Sequence, residues 1–242
     1  YTLTEGDGSE ATATLTITLT DLQPVVGENG LVQLDDDALA GGNPGGIGDD
    51  ADGINTSGTL SGSGGNGALT FALTGATLPA GFAVSSNNGS VMIISQGGTD
   101  VLQVSINAAT GDYSVTQLNP IDHLAGNDEN NFDFAVQYSV TDIDGDSADG
   151  TLDINVDDDT PTAEDDTDSL DEGGPISTDG NVISGAGTDS GAAGADTVGA
   201  DGAEVGNPGS YDGTYGTLVL NADGSYVYTL TEYGQSMIET LG

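Results

Sequence analysis

FDFAVQYSVTDIDGDSADGTLDINVDDDTP, residues 132–161, is the stretch that decides the fold. Phe132, Phe134, Val136, Tyr138 and Val140 alternate with Asp133, Ala135, Gln137 and Ser139. That period of two puts the apolar side chains on one face of a β-strand. Leu152, Ile154 and Val156 repeat the pattern after an Asp-Gly turn. The same stretch carries eight aspartates between Tyr138 and Pro161 and no basic residue. The rest of the chain supplies no counter-charge either. Its 242 residues hold 40 acidic side chains, no Lys, no Arg and one His, for a net charge of −40. No Lys or Arg salt bridge can form. Two unit charges ~4 Å apart repel by roughly 4 kcal/mol near a protein surface. The acids must therefore be dispersed in water or held by cations from solution.

Composition narrows the function. Gly is abundant (40 of 242) and aromatics are 5%, which lean toward disorder, but the 35% apolar residues fall in ordered alternation. The reading is folded β structure that is weakly stable without counter-ions. A charge of −40 excludes nucleic-acid binding and docking on anionic lipid. It fits, as a plainer account, solubility in salty surroundings. No Cys is present, so there is no disulfide framework. No signal peptide and no run of 18 apolar residues is seen, so direct membrane insertion is not expected.

Repeats set the architecture. Residues 1–24, YTLTEGDGSEATATLTITLTDLQP, align without a gap on 138–161 at an offset of 137. Leu15, Ile17 and Leu19 then match Leu152, Ile154 and Val156 and predict a strand. VSINAATGDYSVTQL (104–118) likewise resembles LVLNADGSYVYTL (218–230), two hairpins with turns at Ala109–Asp112 and Asn221–Gly224. The chain reads as residues 1–24 closing one repeat, 25–160 forming a complete repeat, and 161–242 opening the next. Short strands with frequent turns predict an all-β fold of tandem Ig-like β-sandwich domains, rigidified by calcium. A weak helix is expected near Glu232–Leu241. The Gly-rich runs 41–66 and 183–210 are read as long loops.

The acidic motifs suggest where ions would sit. Asp142, Asp144 and Asp146 stand at alternate positions around Gly145, a spacing that can curl around a hard cation. Ca²⁺ accepts 6–8 oxygens in flexible geometry. The flanks are strands and position six is Ser147, so this is not an EF-hand. Glu5, Asp7 and Ser9 occupy the same offsets in the first copy. The competing reading is a solvated β-turn. Asp157, Asp158 and Asp159 lie at a repeat junction, where Ca²⁺ bridging to Asp165 or its neighbours would stiffen the chain; a solvated acidic linker is the alternative. Asp21 holds the matching place at the first junction. Asp35-Asp36-Asp37, with Asp49, Asp50 and Asp52, are read as solvated loop acids. GGIGDDAD (45–52) fits the calcium-binding nonapeptide only in part and has no tandem copy. His123 is expected to make a loop hydrogen bond. An enzyme is not expected, because one His and no Cys give catalytic chemistry little to work with and close carboxylate pairs arise by chance among 40 acids.

LNPIDHLAGNDENNFDFAVQYSVTDIDGDSADGTLDINVDDDTP (118–161) resembles the repeat ends of giant type I-secreted RTX adhesins of Gram-negative bacteria. GTLVLNADGSYVYTL (216–230) is similar to the VCBS-type repeats of the same proteins. The resemblance implies Ig-like extender domains strung in tandem and stiffened by Ca²⁺ at or near their junctions. It also implies export as an unfolded chain and folding outside the cell. The expected role is a structural extender that projects adhesive modules from the cell surface, in adhesion and biofilm. Its partners would be neighbouring repeats or other copies of itself, with any glycan or protein ligand held by other modules. Two alternatives stand: a sugar- or protein-binding module using the Gly-rich loops, or a filament subunit completed by strand exchange.

Overall fold

A computed structural model describes residues 1–44, 53–124 and 130–240. A first hairpin comprises β1 (Thr2–Thr4) and β2 (Glu10–Thr12). The central unit follows with β3 (Pro24–Val25), β4 (Val32–Asp35), β5 (Ser57–Thr59), β6 (Ser63–Gly64) and β7 (Thr70–Thr77). It continues with β8 (Phe82–Asn87), β9 (Val91–Gln96), β10 (Thr99–Ile106), β11 (Asp112–Gln117), β12 (Asn131–Thr141) and β13 (Ser147–Asp157). The last group is β14 (Ser177–Asn181), β15 (Gly209–Asp212), β16 (Gly216–Leu220), β17 (Ser225–Leu230) and the helix α1 (Glu232–Ile238). The fold is all-β and sandwich-like, and no described helix is long and apolar enough to cross a membrane.

The central core lies between two sheets, ordered β4-β13-β12-β7 and β5-β11-β10-β9-β8. The β12–β13 hairpin is its spine, with Phe134 opposite Ile154 and Val136 opposite Leu152. Its inward residues Phe134, Val136, Tyr138, Val140, Leu152, Ile154 and Val156 are all buried, as the alternation requires. β4 joins β13 in parallel, placing Val32 beside Ile154 and Leu34 beside Val156. The opposing sheet contributes Met92, Ile94, Val104, Ile106 and Val115. A bulge in β10 between Asp100 and Leu102 turns two successive residues, Val101 and Leu102, into the core.

Tyr138 fixes one end of the sandwich. Its ring is buried, and its hydroxyl donates to the Ser61 carbonyl (2.8 Å) while accepting from Asn29 Nδ2 (2.9 Å). Gly150 lies opposite, and a Cβ there would come within 2.5 Å of Tyr138 Cζ. Only a glycine leaves room for this aromatic ring.

The two flanking regions are thinner. β1 and β2 pair around Glu5–Ser9, but residues 13–23 form no strand, and Leu15, Ile17 and Leu19 are exposed. This corrects the strand expected there. β13 is flanked by β12 and β4, whereas the alternating run at 15–19 has no neighbouring strand to complete a ladder or cover its apolar face. The C-terminal strands form one sheet, ordered β14-β17-β16-β15, in which Tyr226 is buried and Tyr211, Val219 and Val227 stay exposed. The hairpin turn at Asn221–Gly224 is present, as is α1, whose start is capped by Thr231 accepting from Gly234 N.

Candidate metal centres

The end of β13 distributes three consecutive carboxylates to three surroundings. Asp157 pairs in register with Asp35 on β4, and both are buried. Asp35 ends β4 and caps a 3-10 turn, Asp36–Ala38, its Oδ1 accepting from Asp37 N (3.0 Å). Its Oδ2 is buried with no hydrogen-bond partner among the described residues. Burial, with the added charges of Asp37 and Asp157, pushes the Asp35 carboxyl up to about 8. The four carboxylates Asp35, Asp37, Asp157 and Asp159 are all at most 8% exposed, where like charges are costly unless protonated or matched by a cation.

Asp159 sits at the start of the C-terminal unit. Its Oδ2 accepts from Asn43 N (3.0 Å) and from Ala200 N (2.8 Å), while its Oδ1 is buried without a partner among the described residues. Asn43 Nδ2 donates onward to the Thr160 carbonyl and to Thr162 Oγ1. One loop of the central unit and one of the following unit thus meet on a single carboxylate.

Asp158 points elsewhere, toward Asp36 and His123; ligand atoms of these three lie within 4.8 Å of one another. Asp36 Oδ1 accepts from Gln117 Nε2 and Oδ2 from Ile121 N (2.8 Å). Burial nevertheless raises its carboxyl to about 7, with the charges of Asp158 and Asp201 adding to the rise. Burial lowers the His123 imidazole to about 4. The ring packs on Phe132 at 4.9 Å; the backbone of Asn130 lies close enough to act on it as a hydrogen-bond partner, although neither nitrogen makes a hydrogen bond of ordinary geometry among the described residues.

A second group forms at the β12–β13 turn. Asp142 holds the turn itself, its Oδ1 accepting from Asp146 N (3.0 Å) and its Oδ2 from Asn66 N (2.9 Å). Asp144 and Asp146 instead gather with Asp21, their oxygens within 4.8 Å. Two amides stitch the group together. Asn66 Nδ2 donates to Asp21 (3.0 Å) and Asp144 (2.7 Å), and Gln23 Nε2 donates to Asp146 (2.6 Å). Asp146 is raised by its hydrogen-bonded contact with Asp21 first, then by desolvation and the charges of Asp21, Asp144 and Asp142.

The structure therefore brings Asp21 to the turn acids and turns Asp158 toward Asp36 and His123, away from the buried Asp157 and Asp159. Glu5 and Asp7 remain exposed in the first hairpin, where Asp7 accepts from Ser9 N, and Asp165 is exposed too. Asp35, Asp36 and Asp37 are a correction: they are buried, not solvated. Only the alternation of Val32 and Leu34 was visible in the sequence; the burial of the acids that follow depends on the pairing of β4 with β13 and on the 3-10 turn. Nothing local marked Asp201, which reaches the centre from the following unit. Asp49, Asp50, Asp52 and the GGIGDDAD motif lie outside the described residues.

No curated protein matches the chain. Residues 32–155 match a family described as a domain of unknown function (DUF5801). That span opens at the first residue of β4 and stops two residues short of Asp157, so it covers the sandwich and leaves the acidic junction at its edge. It takes in half of the sequence, from the buried Asp35–Asp37 run to the β12–β13 spine, and the chain belongs to the DUF5801 family.

Proposed function

We propose that this chain is a structural extender segment of a calcium-dependent bacterial surface adhesin or extracellular filament. One observation carries the reading: Asp35, Asp37, Asp157 and Asp159 are buried at one end of the sandwich, in a chain with no Lys or Arg. Two of their oxygens, Asp35 Oδ2 and Asp159 Oδ1, are buried without partners among the described residues. All donors offered are hard oxygens, the set that suits Ca²⁺. Bound calcium would cancel the repulsion, and its binding free energy would become folding free energy. Because Asp159 also holds Ala200 N, the same event would stiffen the central unit against the next. Asp21, Asp144 and Asp146 would act alike at the other junction. Folding would then follow export into calcium-rich surroundings.

The test is a calcium titration of the metal-stripped protein, following melting temperature by β-sheet circular dichroism. Magnesium and sodium chloride at matched ionic strength are the controls. Calcium alone should raise the melting temperature steeply. If sodium chloride does as well, the acids are a screened surface and the reading fails.

A second reading, self-association by strand completion, is favoured by the exposed Leu15, Ile17 and Leu19 and by the single-layered C-terminal sheet. It predicts light scattering that grows with protein concentration and falls when Ile17 is replaced by Asp.

A further inference from the structure

His123 is the only histidine in the chain, and its ring lies beside the carboxylates of Asp36 and Asp158. Both of its nitrogens are buried without a hydrogen bond of ordinary geometry among the described residues, the Asn130 backbone being the group nearest to serving one of them. The other is left without a partner unless something else meets it, and an unmet buried polar atom is costly. Its ring packs against Phe132, which fixes its plane beside Asp36 and Asp158. Asp36 is oriented by Gln117 Nε2 and Ile121 N, yet each carboxylate oxygen retains a free lone pair. Such outer partners fix a ligand's direction. The Asp158 backbone is anchored by its N–H to the Asn130 carbonyl (3.0 Å). Asp201, from the following unit, lies near enough for its charge to act on Asp36, His123 and Asp158.

We propose that Asp36, His123 and Asp158 form a site for a first-row transition-metal dication of the zinc type, separate from the all-oxygen carboxylate groups. The nitrogen decides the class. Ca²⁺ and Mg²⁺ take oxygen ligands, whereas imidazole suits Zn²⁺ and its neighbours. Three protein ligands leave a position for water, as zinc accepts. Metal here would tie the 3-10 turn after β4, the loop before β12 and the end of β13, beside the Asp201 loop of the next unit.

A single histidine makes the test direct. The full chain, labelled with ¹⁵N-histidine and held in saturating calcium, is titrated with zinc while the imidazole nitrogens are followed by NMR. One equivalent of zinc should shift one imidazole nitrogen stoichiometrically. Calorimetry should show zinc binding weakened by at least ~10-fold in His123→Ala and Asp158→Asn, while the calcium-induced rise in melting temperature persists in His123→Ala. An imidazole signal that zinc leaves unmoved overturns the site, as does zinc binding undiminished in folded His123→Ala. Displacement of zinc by calcium mole for mole also overturns it, because the site is then an oxygen site. If His123→Ala does not fold, the wild-type imidazole spectrum decides. Loss of the calcium response with the zinc shift intact would count against the extender reading alone.

Discussion

Residues 1–24 and 138–161 carry nearly the same message and have different fates. Their turns are alike: Glu5 N donates to the Ser9 carbonyl and Gly8 N to the Glu5 carbonyl, as Asp142 N does to Asp146 and Gly145 N to Asp142. The ladder registers agree too, Leu3 with Ala11 as Val140 with Ala148. Beyond that point the copies part. Leu152, Ile154 and Val156 are 0–1% exposed, whereas Leu15, Ile17 and Leu19 are 74–92% exposed. A tight turn is a local property, set by a few residues and a glycine. A strand is not, since its ladder and apolar face need neighbours on either side. β12, β4 and the opposing sheet supply them to β13, while Leu15, Ile17 and Leu19 have no such neighbours among the described residues.

The sharpest way to break this comparison is to truncate matching tyrosines. Tyr138→Ala should cost ~3–5 kcal/mol, the usual loss for a large buried aromatic. Tyr1→Ala should change stability by no more than ~0.5 kcal/mol, as at other exposed sites. Urea denaturation in saturating calcium checks both, and an equal effect would mean that residues 1–24 are packed in solution.

Next comes the glycine beneath that ring. Gly150 aligns with Ala13. Gly150→Ala forces a methyl group to within 2.5 Å of Tyr138 Cζ and should destabilise by ~1–3 kcal/mol, read as a lower denaturation midpoint. Ala13→Gly should leave that midpoint unchanged.

Acid–base behaviour separates the buried acids of the sandwich from the first hairpin by sign. Asp35 and Asp36 titrate near 8 and 7 in the folded protein, well above the ordinary carboxylate value. The native state therefore holds more protons than the unfolded chain between about pH 4 and 8. Metal-free stability should fall as pH rises through that window. His123 acts oppositely, being depressed to about 4, so its contribution is lost as pH falls from 6.5 through 4. Asp7, lowered by its hydrogen bonds with Ser9, contributes only above its unfolded pKa and loses that as pH falls. Melting curves of the metal-free protein should peak on the acidic side of neutrality. Asp35→Asn should flatten the fall above that peak and shrink the calcium response. A metal-free protein most stable at pH 8 would contradict the burial of these acids.

The sandwich was legible because Phe132 to Val140 and Leu152 to Val156 alternate without error, and alternation is what a half-buried sheet demands. The acidic turn was legible because Asp side chains bond the nearby backbone and Gly permits the positive φ that a tight turn needs. What was not legible depends on distant chain. Asp35 is buried by its parallel pairing with Asp157, a contact over more than a hundred residues of sequence. Asp21 meets Asp144 through Asn66, which nothing in either repeat announces. Val101 and Leu102 are both buried because a bulge interrupts the period that pattern reading relies on. The run at Leu15–Leu19 shows the converse, a sound pattern without a partner.

The smallest effect probes the part the copies share. Gly8 and Gly145 both have positive φ, 90° and 100°, and nothing lies within 4 Å of a Cβ at either. Substitution by Ala is therefore strained by backbone alone, by roughly 1–2 kcal/mol. In Gly145→Ala that strain should appear in full as a lower denaturation midpoint, because the β12–β13 hairpin is the spine of the core. In Gly8→Ala the same strain should leave the midpoint untouched and show only as faster amide exchange at Glu5 and Gly8, whose N–H groups close the first turn. Equal strain with unequal global cost would establish that the two turns differ in what they are attached to rather than in how they are built. A matching fall in the midpoint for both would show that the first hairpin unfolds together with the sandwich, and that its exposed strand is covered in solution.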